Sequence, residues 1–287
     1  VSIGLSLPFD YLAGTGETAD ARCFSESFGK PCDCLVELKD NGVGSIEIGG
    51  FGPDAAADTL LGIAQHILRS GMRLTLHGYQ TGNAAGHLFD NVYKQLLPTL
   101  NYIRDQQENT VMVVHALADP DVSYHSMVEF TARSLKRLAK NIQTCSLPVR
   151  IGLEINRYHG LKTPGITDDG LLEIAQHMGS SDIGFCWDMG HTASSVLQKK
   201  LSEARSPEFL SKVIHTHLHG LSRDGDTHRP LTESSSHIAS GVSQLTALGY
   251  GGTYNLEFYP MRWGGEHTVR DEILASIRCL QVILNKE

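Results

Sequence analysis

The stretch Val213-Ile214-His215-Thr216-His217-Leu218-His219-Gly220 places histidine at every second position of an otherwise mostly apolar run. On a strand, residues i, i+2 and i+4 share a face, so three imidazoles point into one space while Ile214 and Leu218 point the other way. Such a row is costly to bury unless something binds it, and neutral imidazole is the commonest metal ligand. A lone histidine-rich edge strand with satisfied hydrogen bonds would look the same. The rest of the chain decides, because the pattern of polar residues closing an apolar run recurs along it.

Short runs rich in Val, Ile and Leu lie at residues 2–7, 45–48, 73–76, 110–115, 149–155, 183–187, 213–219 and 253–258. Between them run helical patterns at 53–70, 86–107, 122–142, 168–179, 191–204, 235–248 and 267–284, with another near 31–40. Leu60, Leu61, Ile63, Ala64, Ile67 and Leu68 have helical spacing, and Gly71 stands where a helix would end. Asp121 or Ser123 is expected to cap the helix at 122–142, and Asp168 or Asp169 the one at 168–179. Eight strands alternating with about eight helices predict a parallel sheet with right-handed crossovers. The expectation is an α/β fold, a single (β/α)8 TIM barrel spanning 1–287. The closed barrel is preferred to an open sheet because the polar residues recur at the carboxyl ends of the strands, where barrel active sites lie. Residues 8–31 and 221–236 are expected to be loops over that face.

Composition narrows the function. The 287 residues carry a net charge of −8 and no basic cluster, which disfavours binding to extended nucleic acid. No apolar run reaches the roughly 18 residues of a membrane span. The start reads as a first strand rather than a signal peptide, and six cysteines without zinc or redox spacing fit a reducing, cytoplasmic setting.

The strand ends assemble a constellation. In chain order come His77, His115, Glu154 followed by Asn156, Asp188 with His191, the histidine row, Asp224 to His228, and Glu257. One such residue would read as a satisfied core group, but six successive strands ending this way is a different matter. Carboxylates gathered at a barrel mouth would be desolvated at several kcal/mol each without compensation. Divalent cations remove that cost, and mixed histidine and carboxylate donors suit zinc, manganese or iron better than calcium.

With these residues the chain resembles the xylose isomerase-like TIM-barrel superfamily, also called the AP endonuclease family 2 group, which includes endonuclease IV. The resemblance covers nearly the whole chain after the first loop. It implies metal ligands at His77, His115, Glu154, Asp188, His191, His217, Asp226, His228 and Glu257, with Asp224 competing for the place of Asp226. In endonuclease IV relatives the full set holds three zinc ions. In the sugar isomerases and epimerases a smaller set, here Glu154, Asp188, His217 and Glu257, holds one metal, often manganese. The resemblance also allows a homodimer or homotetramer.

Two reactions follow. The first expectation is a hydrolase of a small phosphodiester with two or three zinc ions, acting on a cobamide-type molecule rather than in DNA repair. The alternative is a sugar or sugar-phosphate isomerase or epimerase with one manganese, zinc or cobalt ion, in which Glu154 and Glu257 act as acid and base. A third, a metal-holding barrel without catalysis, would lack an acid/base residue, and none is missing. Either enzyme takes a small phosphorylated or sugar-like substrate. Glu47, Asn156, Trp187, His219, Arg223 and Arg229 are expected to touch it, with Arg157, Tyr158 and His159 also near the mouth. His215, deeper in its strand, is expected to support the site rather than ligate.

Overall fold

The computed structural model describes residues 1–80, 87–179, 183–263 and 268–286. Eight parallel strands close into a barrel in sequence order: β1 (Ser2–Pro8), β2 (Val43–Gly49), β3 (Arg73–His77), β4 (Thr110–His115), β5 (Val149–Glu154), β6 (Ile183–Asp188), β7 (Val213–Leu218) and β8 (Thr253–Leu256). β1 pairs with β8 through Ser2–Thr253 to Leu5–Leu256, which shuts the cylinder. This is a single (β/α)8 TIM barrel.

Helices link the strands: α1 (Phe9–Leu12), α2 (Ala19–Phe28), α3 (Pro31–Asp40), α4 (Ala57–Arg69), α5 (Asp90–Ile103), α6 (Tyr124–Thr144), α7 (Asp168–Met178), α8 (Met189–Leu197), α9 (Pro207–Ser211), α10 (Ser236–Ala247) and α11 (Val269–Leu284). Their apolar stripes explain the packing. In α4, Leu60, Ile63, Ala64 and Ile67 are buried against the strands, the spacing of one helical face. Gly71 follows the α4 cap with φ of 77°, a conformation that costs glycine little. The first positions of the expected helices at 86 and 267 lie outside the described residues.

Three local expectations are corrected. Residues 8–31 hold α1 and α2 rather than loop alone, because Thr18 accepts a hydrogen bond from Ala21 N at 3.2 Å and starts a helix that buries Ala21, Phe24 and Phe28. Helix α7 is capped by Thr167, whose hydroxyl accepts from Gly170 N at 3.0 Å. Asp168 is turned instead to Arg205 at 2.8 Å. The helix expected at 191–204 starts at Met189, because Asp188 caps it two residues early, and it stops at Leu197.

The barrel interior is unusually polar. Val, Ile and Leu usually fill such barrels, but here Ser6, Glu47, His215, His217 and Asn255 are buried and bonded together. Ser6 donates to Glu47 at 2.7 Å, and Asn255 donates to Ser6 at 2.8 Å. This column stands under the carboxyl ends of the strands and supports what lies there.

Candidate metal centre

His77, His115, Glu154 and Asp188 are the last residues of β3, β4, β5 and β6. Each closes an apolar strand at the point where the chain leaves the core, so all four converge at one mouth. Asp188 also caps α8: its carboxylate accepts from His191 N at 2.6 Å, which fixes His191 beside it in the first turn. The His219 ring lies against that helix start, and a Cβ on Gly190 would sit 1.9 Å from His219 Cε1. Glycine at 190 is what admits the ring.

His228 reaches the cluster from the loop after β7 in the left-handed conformation, φ 61°. A non-glycine residue held there stores backbone strain, which local structure must balance. Here His228 N donates to His219 Nδ1 at 2.9 Å, Trp263 Nε1 donates to His228 O at 2.8 Å, and the Tyr259 ring stacks on the imidazole at 4.0 Å.

Overlapping groups of donors result among the described residues, each with one atom per residue within 4.8 Å of the others, and three of them stand at the mouth: Glu154, Asp188, His217 and Glu257; His77, His115 and Glu154; and Asp188, His191, His219 and His228. Glu154 lies 2.9 Å from His115 Nε2 and 3.2 Å from His77 Nε2. Asp188 lies 3.1 Å from both His191 Nδ1 and His219 Nε2. Glu257 approaches His217 and His228 at 3.5 Å each.

These charges move each other's ionisation. Burial disfavours charge on Glu154 and Glu257, but the facing histidines outweigh it. Glu154 is held well below the carboxylate range, and Glu257 at about 2. Burial also disfavours charge on His191, yet Asp188 and Glu154 raise it to about 9. His228 goes the other way, pushed down to about 4 by burial and the neighbouring His219.

Whether these residues suit a cation is answered by their buried donor atoms. Glu154 Oε1, Glu257 Oε2, His191 Nδ1 and His217 Nδ1 are all buried and make no hydrogen bond, only ion-pair contacts of 3.1–3.5 Å within the cluster. Such groups cost about 1–3 kcal/mol each when left unsatisfied. Four at one spot, all of metal-ligating type, fit a divalent cation held among them. The mixed nitrogen and oxygen donors suit zinc, manganese or cobalt.

Several residues expected at the site stand elsewhere. Asp226 belongs to none of the three groups: its carboxylate pairs with Arg229 at 2.9 Å and approaches Arg157 at 3.7 Å. His219, expected at the substrate, is wholly buried in the cluster instead. Glu47, also expected there, is buried one layer below, where it contacts His215 and His217 at 3.1 Å each. It thereby orients His217 from behind, as carboxylates do for ligand histidines. Trp187 points out of the barrel, donating to Thr192 at 3.1 Å and packing edge-on against Phe209. Inward positions alternate along β6, so Cys186 and Asp188 face in and Trp187 cannot. Arg223 and Asp224 are exposed, and Arg229 is engaged by Asp226. Tyr158 is covered by Lys200, 4.9 Å from its ring.

A cavity of about 680 Å³ opens beside His77 and His115, lined in part by Asn156, Arg157 and His159. The sequence reading missed Cys186, which groups with Glu154 and His217, although its position two residues before Asp188 puts it on the same strand face. It also missed Tyr259, which no spacing rule flags.

The family model described as "Xylose isomerase-like TIM barrel" matches residues 35–281. The chain is 25% identical over 174 residues to the uncharacterized protein MJ1311 of Methanocaldococcus jannaschii, covering 55% of this chain and 56% of that protein's length. Among solved structures it resembles an L-ribulose 3-epimerase (17% identity, TM-score 0.67, 100% of this chain and 95% of that one). It also resembles the 3-keto-D-glucoside 4-epimerase of E. coli (14%, TM-score 0.67, 98% and 100%). A third likeness is to an IOLI protein with a binding zinc atom (13%, TM-score 0.63, 98% of each). At these identities the likeness to solved structures establishes the fold.

Proposed function

Because the chain belongs to the xylose isomerase-like TIM-barrel family, we propose that it is a divalent-metal-dependent enzyme that removes a proton from carbon and returns one, isomerising or epimerising a sugar or sugar phosphate. One observation carries this reading: Glu154, Asp188, His217 and Glu257 each present a donor atom within 4.8 Å of the others, and three of the four keep a buried donor atom without a hydrogen bond. The names of the similar structures, two of them sugar epimerases, point the same way.

A cation bound by that quartet would supply Lewis acidity toward the oxygens of the substrate. The protein's own residues do the rest. Glu154 closes β5 and Glu257 follows β8, so the two carboxylates approach the mouth from opposite sides of the barrel. Facing histidines favour the ionised form of both. The ionised carboxylate takes the proton from carbon, and its counterpart, once protonated from solvent, returns one from the opposite face. Asn156 and Arg157, on the cavity wall, would orient substrate hydroxyl or phosphate oxygens.

Hydrolysis of a small phosphodiester is the second reading. It is favoured by the size of the donor set: His77 and His115 with Glu154, and His191, His219 and His228 with Asp188, exceed what one cation uses. Metal content of protein purified without chelator, measured beside assays on a ketose panel and on a phosphodiester, separates the two. One cation per chain with ketose interconversion supports the first. Two or three cations with phosphodiester cleavage and no action on ketoses overturn it.

A further inference from the structure

The cavity beside the cluster is built for more than a small polyol. Its volume of about 680 Å³ lies well inside the range of roughly 300–1,000 Å³ that holds drug-sized ligands, more than a single six-carbon sugar fills. One wall is aromatic and aliphatic: Phe51 and Tyr79 meet edge to face at 5.7 Å and 87°, and Leu161, Ile166 and Tyr259 continue the lining. Phe51 is itself braced by Phe9 at 6.3 Å, so the wall is preformed.

The charge of the lining is the second observation. The chain has 32 Asp and Glu residues and a net charge of −8, yet none of the described residues lining this cavity is acidic. Arg157 lines it together with His77, His115 and His159. The Arg157 side chain keeps a buried Nε without a hydrogen bond, while Nη1 donates to Thr227 at 3.2 Å and lies 3.7 Å from the partly exposed Asp226 carboxylate. A guanidinium so loosely paired, in a cavity whose described lining holds no carboxylate, is suited to an anionic oxygen group.

We propose that this cavity is a subsite for an aromatic ring carried on a phosphorylated sugar: the ring rests against Phe51 and Tyr79, and the phosphate meets Arg157. This rests on the reading of the adjoining mouth as a site for sugar-type substrates, and it names the class of molecule that fills the space beyond the reacting end. Edge-to-face and stacked contacts to a planar ring reward such a wall beyond simple burial, and an aliphatic group would forgo that gain.

The test uses the full chain loaded with manganese or zinc and two probes that share the ribose phosphate and differ at the anomeric carbon, where ribose 5-phosphate carries a hydroxyl and adenosine 5′-monophosphate the ring system. Calorimetric titration is expected to show the ring-bearing probe binding at least about tenfold tighter. Tyr79→Ala should abolish that ratio while leaving ribose 5-phosphate affinity unchanged, and Tyr79→Phe should restore it. Arg157→Ala should weaken both probes. Tyr79 is half-buried on a loop, so its variants are expected to fold, which circular dichroism checks directly. Equal affinity for the two probes, or a ratio untouched by Tyr79→Ala, overturns the aromatic subsite while leaving the proposed reaction standing. Failure of the metal-loaded protein to bind either probe overturns the subsite and counts against the sugar-phosphate reading as well.

Discussion

The two halves of the mouth are built differently from the same donor types. On the β3–β5 side, His77 and His115 are 15% and 36% exposed and open to the cavity. On the β6–β8 side, the side chains of Asp188, His191, His219 and His228 are at most 11% exposed, interlocked through the start of α8 and the strained backbone of His228. The closed half holds groups that depend on each other, whereas the open half presents groups to whatever enters. Removing a residue should therefore cost stability on one side and reactivity on the other.

The widest gap is expected between Asp188→Ala and His115→Ala. Asp188 is fully buried, pairs with two histidines and caps α8. Breaking a buried pair by deleting one partner costs about 3–5 kcal/mol, and the lost cap adds about 1 kcal/mol. Denaturant unfolding should show that loss, together with loss of tightly bound cation. His115→Ala, at a partly exposed position, should cost no more than about 1 kcal/mol. Equal destabilisation by the two variants would break the contrast.

Glu257→Gln comes next. It keeps the shape of a residue poised between the halves but cannot carry a proton. Turnover should fall by about 10²–10⁴-fold, the usual worth of a positioned acid or base, with a smaller loss of stability than in Asp188→Ala, because Glu257 faces His217 and His228 but caps no helix. Wild-type turnover in this variant would remove Glu257 from the chemistry.

Protons sharpen the contrast further. His191 holds its proton up to about pH 9 in the metal-free protein, because Asp188 and Glu154 outweigh the cost of burial. The raised value adds stability that is full below about pH 6.5, the ordinary histidine value, and is lost as pH rises through 9. A cation competes with the same proton, so its affinity should rise between pH 7 and 9. Titration calorimetry in buffers of different ionisation enthalpy should detect proton release at pH 7 that fades toward pH 9. Affinity that is flat across this interval would mean that the bound cation does not displace the proton of His191, although that ring faces Glu154 and Asp188.

The fold was legible because each strand is a short apolar run and each link an amphipathic helix, and all eight strands stand where those runs lie. The mouth residues at strand ends were legible for a related reason: a carboxylate or imidazole closing an apolar strand has one place to go. What did not read was direction across short loops and faces. Trp187 neighbours Asp188 in sequence but lies on the opposite strand face, and Glu47 sits one pleat too deep to meet a substrate. His219 looked like a residue at the rim until Gly190 gave its ring a floor inside the cluster. The direction of Trp187 follows from strand alternation once the register is known, whereas the places of Glu47 and His219 follow from which backbone passes close by.

The smallest effect concerns Asp226, whose sequence context made it look like a ligand. Gly225 carries a φ of 78° and His228 one of 61°, so the loop turns sharply between β7 and the cluster. That turn sends His228 inward and leaves Asp226 facing Arg229 and Arg157, with its side chain 37% exposed. Burial pushes the Asp226 carboxyl up, but Arg229 and its neighbours together outweigh it and lower it, so it stays ionised and engaged at neutral pH. A partly exposed pair of this kind is worth about 0–1 kcal/mol. Asp226→Asn should therefore shift unfolding by no more than that and leave cation content and affinity unchanged. If metal analysis instead showed a cation lost, the loop would have to rotate on metal binding, and the closed half would be completed by Asp226 rather than by His219.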